Sequence, residues 1–203
     1  MTQQKANGIE SMLDRGAKLK GLTSFKPIVL IGLMGAGKSR IGKDLATKFG
    51  LSFADTDTEI VKAAGCSITD IFELYGEESF RDLEERVISR LLMKNIQIIA
   101  TGGGVFMNAT NREVIRKYGI SVWLKAELKV LIERTSRRKG RPLLERGDPE
   151  VILGELINER YPIYSKADII IDTQDNPVNE NVDATAEALT AFFDKQPEIK
   201  NDE

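Results

Sequence analysis

The chain has 203 residues, 29 of them basic and 31 acidic, with a single cysteine and no histidine. That length suits one α/β domain with a sizeable core, and the even charge gives no footprint for nucleic acid or an anionic membrane surface. No apolar stretch approaches the roughly 20 residues of a membrane helix, and the N-terminus lacks the apolar core of a secretory signal, so a soluble, cytoplasmic protein is expected. The lone Cys66 excludes an intramolecular disulfide framework and reads as a small, half-buried filler. Without histidine the commonest general base and transition-metal ligand are missing, which leaves acid–base work to carboxylates.

Residues 1–26 are polar, with a short amphipathic stretch at Ile9, Met12, Leu13 and Leu19. They read as a flexible or loosely packed extension, and Glu10 and Asp14 argue against a transit peptide. From Pro27 on, strand-like and helix-like segments alternate. A buried strand at Ile28–Ile31 runs into Gly32-Leu33-Met34-Gly35-Ala36-Gly37-Lys38-Ser39, and a helix follows from Lys38 through Phe49. A short strand near Ser52–Ala54 leads to a helix at Thr58–Ala64. Ser67–Leu74 is a helix with Ser67 as N-cap and Asp70 completing a capping box. A longer one covers Glu77–Met93, with Phe80, Leu83, Val87 and Leu91 on one face. Strands at Gln97–Thr101, Ser121–Leu124 and Asp168–Ile171 are interleaved with helices at Arg112–Lys117, Leu128–Arg134, Pro149–Arg160 (stopped before Pro162) and Glu180–Phe193. This alternation predicts a three-layer α/β/α fold around a five-stranded parallel sheet. Residues 136–147 are too basic and interrupted for a core element and read as a mobile lid or, alternatively, a solvated charged loop. Residues 27–194 form the expected domain, and 195–203 a frayed tail.

Glycines between a buried strand and a helix let backbone N–H groups turn onto phosphate oxygens, while a lysine reaches the β/γ-phosphates and a serine offers its hydroxyl to Mg²⁺. The segment Gly32–Ser39 has that arrangement, so the chain is expected to handle a nucleoside triphosphate. Ligands of a parallel sheet collect beyond the carboxyl ends of its strands. Asp55-Thr56-Asp57 and Thr101-Gly102-Gly103-Gly104 should therefore converge on the phosphate loop. One carboxylate suits a metal shell and the other the proton of an attacking hydroxyl, although Asp-x-Asp also marks turns and caps. Three glycines imply close approach of a ligand to backbone. Arg81 and Glu84 lie one helical turn apart, so Glu84 can hold the guanidinium for a small carboxylate, or the two can form a plain surface pair. Arg160 can serve the same purpose or merely complement a helix dipole.

Six motifs in register, Gly-Leu-Met-Gly-Ala-Gly-Lys-Ser, Asp-Thr-Asp, Phe-Arg-Asp-Leu-Glu, Thr-Gly-Gly-Gly-Val, Arg-Pro-Leu-Leu and Glu-Arg-Tyr-Pro-Ile-Tyr, make the chain from Pro27 to Phe193 resemble the shikimate kinases, compact P-loop kinases related in fold to nucleoside monophosphate kinases. The resemblance implies MgATP-dependent phosphorylation of the 3-hydroxyl of shikimate, a step toward chorismate and the aromatic amino acids, by a monomer. It implies that Gly35, Ala36, Gly37, Lys38, Ser39 and Arg40 bind the ATP phosphates, and that Arg134 and Pro177 sandwich adenine. The lid's Arg141 would swing onto the phosphates. Mg²⁺ would be held by Ser39 and, through water, Asp55. Asp57 would bind the ring hydroxyls beside the attacking one, Arg81 and Arg160 would clamp the carboxylate, Gly102, Gly103 and Gly104 would meet a hydroxyl, and Phe72 and Phe80 would form apolar walls. Lys38, Asp57 and Arg141 carry the catalysis on this reading. The alternatives are another small-metabolite kinase, such as one acting on gluconate, or a non-catalytic ATP-binding module.

Overall fold

A computed structural model describes residues 26–94, 98–136 and 147–195. Five strands, β1 (Ile28–Ile31), β2 (Phe53–Asp55), β3 (Ile98–Ala100), β4 (Ile120–Lys125) and β5 (Ile169–Asp172), form one parallel sheet in the order β2-β3-β1-β4-β5. Every residue of β1 and β3 is buried, as a strand covered on both faces must be, so their sequences are unbroken apolar runs without alternation. The edge strand β5 alternates buried and exposed instead. In register, Leu30 pairs with Ala100 on one side and Val122 on the other, which sets the ends of β1, β3 and β4 side by side.

Among the described residues, seven α-helices cover the sheet: α1 (Lys38–Phe49), α2 (Thr56–Ala64), α3 (Ile68–Leu92), α4 (Ala109–Tyr118), α5 (Leu128–Ser136), α6 (Pro149–Tyr164) and α7 (Val178–Asp194). Helix α1 packs with α7, α3 with α4, and α5 with α6. The two helices expected over 67–93 are two segments of α3, broken at Gly76 (φ 80°, ψ 174°), and the Ser67–Asp70 capping box is present at its start. Cys66 is half-buried against the core.

Two helices differ from their sequence-based bounds. Helix α2 starts at Thr56 rather than Thr58, because the Asp55 carboxylate caps it by accepting from the amides of Asp57 and Thr58. Helix α6 does not stop at Arg160: it continues past Pro162 to Tyr164. Proline removes one helical donor, but two tyrosine hydroxyls hold the last turn, Tyr161 donating to Ala126 O and Tyr164 to Gly103 O. Expectations for residues 1–25, for most of the lid segment including Arg141, and for the tail beyond Lys195 fall outside the described residues.

Gly42 shows how closely α1 approaches the sheet. A Cβ there would stand 2.8 Å from Phe53 Cε2 and 2.9 Å from Leu30 Cδ1. Helix propensity alone favours alanine over glycine by about 1 kcal/mol, whereas overpacking a core costs about 1–3 kcal/mol. Gly42→Ala is therefore expected to lower the urea midpoint; an unchanged or raised midpoint would show that α1 can lift away freely.

Candidate active site

The loop after β1 turns on glycines at positive φ: Gly32 (140°), Gly35 (85°) and Gly37 (98°), the last being the N-cap of α1. L-residues rarely adopt such angles. The Ala36 amide closes the loop on Leu33 O at 3.2 Å. Helix α5 braces it from outside, since a Cβ on Gly35 would stand 3.0 Å from Thr135 Cγ2. Lys38 is buried, and its ammonium donates to the carbonyls of Gly32 (2.8 Å) and Leu33 (2.9 Å), curled over the loop at the positive end of α1. Arg40 is exposed and pairs with Asp44 at 2.7 Å.

Beside the loop, Ser39 Oγ donates to Asp55 Oδ2 at 2.5 Å. A serine hydroxyl and one carboxylate at a phosphate loop fit Mg²⁺, which takes few protein ligands and completes its shell with water and phosphate oxygens. No cluster of three or more acidic or thiol ligands occurs among the described residues, so nothing there forms an all-protein metal cage.

The three glycines after β3 each face one of the side chains expected to meet substrate. A Cβ on Gly102 would lie 2.9 Å from Asp57 Oδ1 and 3.2 Å from Glu84 Oε1; on Gly103, 3.4 Å from Arg160 Nη1; on Gly104, 2.4 Å from Arg81 Nη1. The turn thus gathers Asp57 from α2, Arg81 from α3 and Arg160 from α6 around one backbone. Thr56, buried between the two aspartates, fixes the turn by accepting from the Gly102 amide at 2.9 Å. Gly104 has ordinary helical angles, so any residue could adopt its backbone. Gly104→Ala should fold normally yet displace the Arg81 guanidinium, raising the KM for the carboxylate substrate with little change in Tm. An unchanged KM would mean that the guanidinium has room to move aside.

Arg81 is held by two carboxylates, Glu84 at 2.9 Å and Glu77 at 3.1 Å, which resolves it as a positioned guanidinium rather than a loose surface pair. Burial works against its charge, but these carboxylates outweigh it and raise its pKa. Glu84 is itself buried, and that desolvation pushes its pKa up, opposed by Arg81 and reinforced by Asp57. Asp57 opens to solvent at the cleft but is surrounded by protein on most sides. Desolvation, then the neighbouring Asp55, raise its pKa above 3.8, partly opposed by Lys38. Phe72 stacks on Phe80 with centroids 4.6 Å apart, and the Arg81 guanidinium lies over the Phe80 ring at 5.2 Å.

On the other side of the phosphate loop, Arg134 donates to Gln174 O at 2.6 Å and lies 4.0 Å from where a Cβ on Gly37 would stand. Asn181 holds the same segment through the carbonyls of Gln174 and Asn176, and Pro177 caps α7 there. Arg134 and Pro177 therefore share a region beside the phosphate loop. Sequence reasoning missed Thr56, Glu77 and Tyr164. The i,i+4 spacing of Glu77 to Arg81 could have found that contact, whereas only the fold shows what Thr56 and Tyr164 touch.

A phosphate loop, its lysine, a hydroxyl–carboxylate pair and a second aspartate facing a cationic pocket define a P-loop small-molecule kinase. The shikimate kinase family profile matches residues 34–190. The chain is 45% identical over 193 residues to the shikimate kinase of Paramagnetospirillum magneticum, covering 94% of this chain and 99% of that protein. It is 49% identical over 181 residues to that of Rhodopseudomonas palustris, covering 89% of each. The structure of shikimate kinase from Acinetobacter baumannii in complex with shikimate superposes with a TM-score of 0.81 at 34% identity, covering 88% of this chain and 99% of that one. A gluconokinase from Sinorhizobium meliloti, at 18% identity and a TM-score of 0.55 over 85% of this chain and 99% of its own, shares the fold alone. The chain belongs to the shikimate kinase family and is a phosphotransferase; neither a gluconate kinase nor a non-catalytic module is favoured.

Proposed function

We propose that this chain transfers the γ-phosphoryl group of MgATP to the 3-hydroxyl of shikimate, acting as a cytoplasmic monomer. The observation that carries the substrate reading is the glycine turn with Arg81, Arg160 and Asp57 packed around it: two guanidiniums for one carboxylate and an aspartate for ring hydroxyls. In the transfer the 3-oxygen forms a bond to γ-phosphorus as the bond from γ-phosphorus to the bridging oxygen breaks. ADP leaves, and the hydroxyl proton passes to Asp57. Lys38 neutralises charge on the phosphates, and Arg141 from the lid adds a second cation. Arg134 and Pro177 flank the adenine. Mg²⁺, held by Ser39 and by Asp55 through water, would offset phosphate charge when bound. Most of the rate enhancement comes from positioning and charge placement, because a loose transition state asks little of a base.

The carboxylate clamp is tested by Arg81→Ala and Arg160→Ala. Each should raise the KM for shikimate by about tenfold or more, as loss of a charge-assisted hydrogen bond of about 1.5–3 kcal/mol requires. The KM for ATP should stay near wild type. Unchanged shikimate KM in both variants would remove the clamp.

A further inference from the structure

The two clamp arginines meet the same glycine turn but are fixed differently. Arg81 is tied by Glu77 and Glu84. Arg160 makes no ion pair among the described residues, and its Nε is buried without a hydrogen-bond partner. Beside it on the same face of α6, four residues on, stands Tyr164, wholly buried, with its hydroxyl donating to Gly103 O. A Cβ on Gly103 would lie 3.4 Å from Arg160 Nη1 and 3.8 Å from Tyr164 Oη, so guanidinium, hydroxyl and turn are in mutual contact. The Tyr164 ring is lodged near Trp123 and Phe106, with centroids 5.9 and 6.5 Å away. Pro162, between the two residues, lacks the N–H that would donate to Asn158 O, so the turn before Tyr164 has one backbone bond fewer, although the Ser165 amide still closes on Tyr161 O at 2.9 Å. Burial pushes the Tyr164 hydroxyl up to about 12, against the opposing pull of Arg160, which keeps it a protonated donor throughout the working range.

We propose that Tyr164 is a positioning residue for substrate binding: its hydroxyl ties the Gly103 turn to the end of α6 and thereby sets the Arg160 guanidinium against the pocket. It gives Arg160, through a neutral hydrogen bond, the fixation that Arg81 receives from two carboxylates. The inference rests on the reading of shikimate as substrate.

The test is calorimetric titration with shikimate, together with steady-state kinetics, on wild type, Tyr164→Phe, Tyr161→Phe, Arg160→Ala and the Arg160→Ala/Tyr164→Phe double variant. Phenylalanine keeps the buried ring and removes only the hydroxyl. Tyr164→Phe is expected to raise the Kd and KM for shikimate about tenfold, with kcat and the KM for ATP moving far less. In the Arg160→Ala background the same change should add under about threefold, because the group it positions is gone. Tyr161→Phe removes a similar hydroxyl–carbonyl bond from the same helix end, so it should lower Tm comparably while leaving shikimate Kd near wild type. Wild-type affinity in Tyr164→Phe, an equal loss in Tyr161→Phe, or a full tenfold effect persisting without Arg160 would overturn the proposal. A wild-type enzyme that does not bind shikimate would instead overturn the substrate reading beneath it.

Discussion

Asp57→Asn is expected to lower kcat by about 10²–10⁴-fold, the range for loss of a positioned proton acceptor. Asparagine keeps the size and can still hydrogen-bond a ring hydroxyl, so shikimate should bind nearly as well and the loss should fall on kcat. The same substitution separates chemistry from folding. The folded protein raises the Asp57 pKa, chiefly by desolvation and then by Asp55. A carboxylate whose folded pKa is raised favours the native state at low pH, and this contribution is lost as pH rises through that pKa. At neutral pH the charge at position 57 therefore works against the fold, and Asp57→Asn should show an equal or higher Tm. Only ionised Asp57 can accept a proton, so in wild type kcat/KM should fall as pH drops through a value above 3.8. That acid limb should disappear in the variant. A fully active Asp57→Asn enzyme would remove Asp57 from proton transfer.

Lys38→Ala should be the other severe variant, with kcat reduced by about 10²–10³-fold, comparable to losing one group aimed at developing charge. Lys38 is the buried cation of the phosphate loop, held over the carbonyls of Gly32 and Leu33 at the start of α1. Its positive charge is placed before the reaction begins, so little reorganisation accompanies charge movement onto the phosphates. Alanine keeps the helix and a short apolar stem, and circular dichroism should be unchanged. Turnover within tenfold of wild type would mean that Arg141 or Mg²⁺ supplies the charge that Lys38 is assigned.

The fold was legible wherever one physical pattern dominated. Ile28–Ile31 is apolar throughout and is buried throughout, and Ser67 with Asp70 forms the capping box that its spacing announces. Boundaries were lost where side chains overrode local preference. Asp55 caps α2 two residues earlier than periodicity suggests, and Tyr161 and Tyr164 carry α6 past a proline that reads as a stop. Within the site, the residue types and their strand-end positions were readable, including Arg81 with Glu84. Unreadable was the one-to-one match of Gly102 with Asp57, Gly103 with Arg160 and Gly104 with Arg81, because it depends on the strand order β2-β3-β1-β4-β5 and on distances between elements remote in sequence. Glu77, by contrast, was readable: it opens the expected helix four residues before Arg81, a spacing as good as that of Glu84, yet sequence reasoning missed it.

Phosphoryl transfer to shikimate is read out directly as ADP release by the purified protein with MgATP, in the presence and absence of shikimate, with gluconate and nucleoside monophosphates as other acceptors. Strong turnover that depends on shikimate, with shikimate 3-phosphate as product, is the predicted result. Background ADP release with shikimate alongside turnover with another acceptor would contradict it.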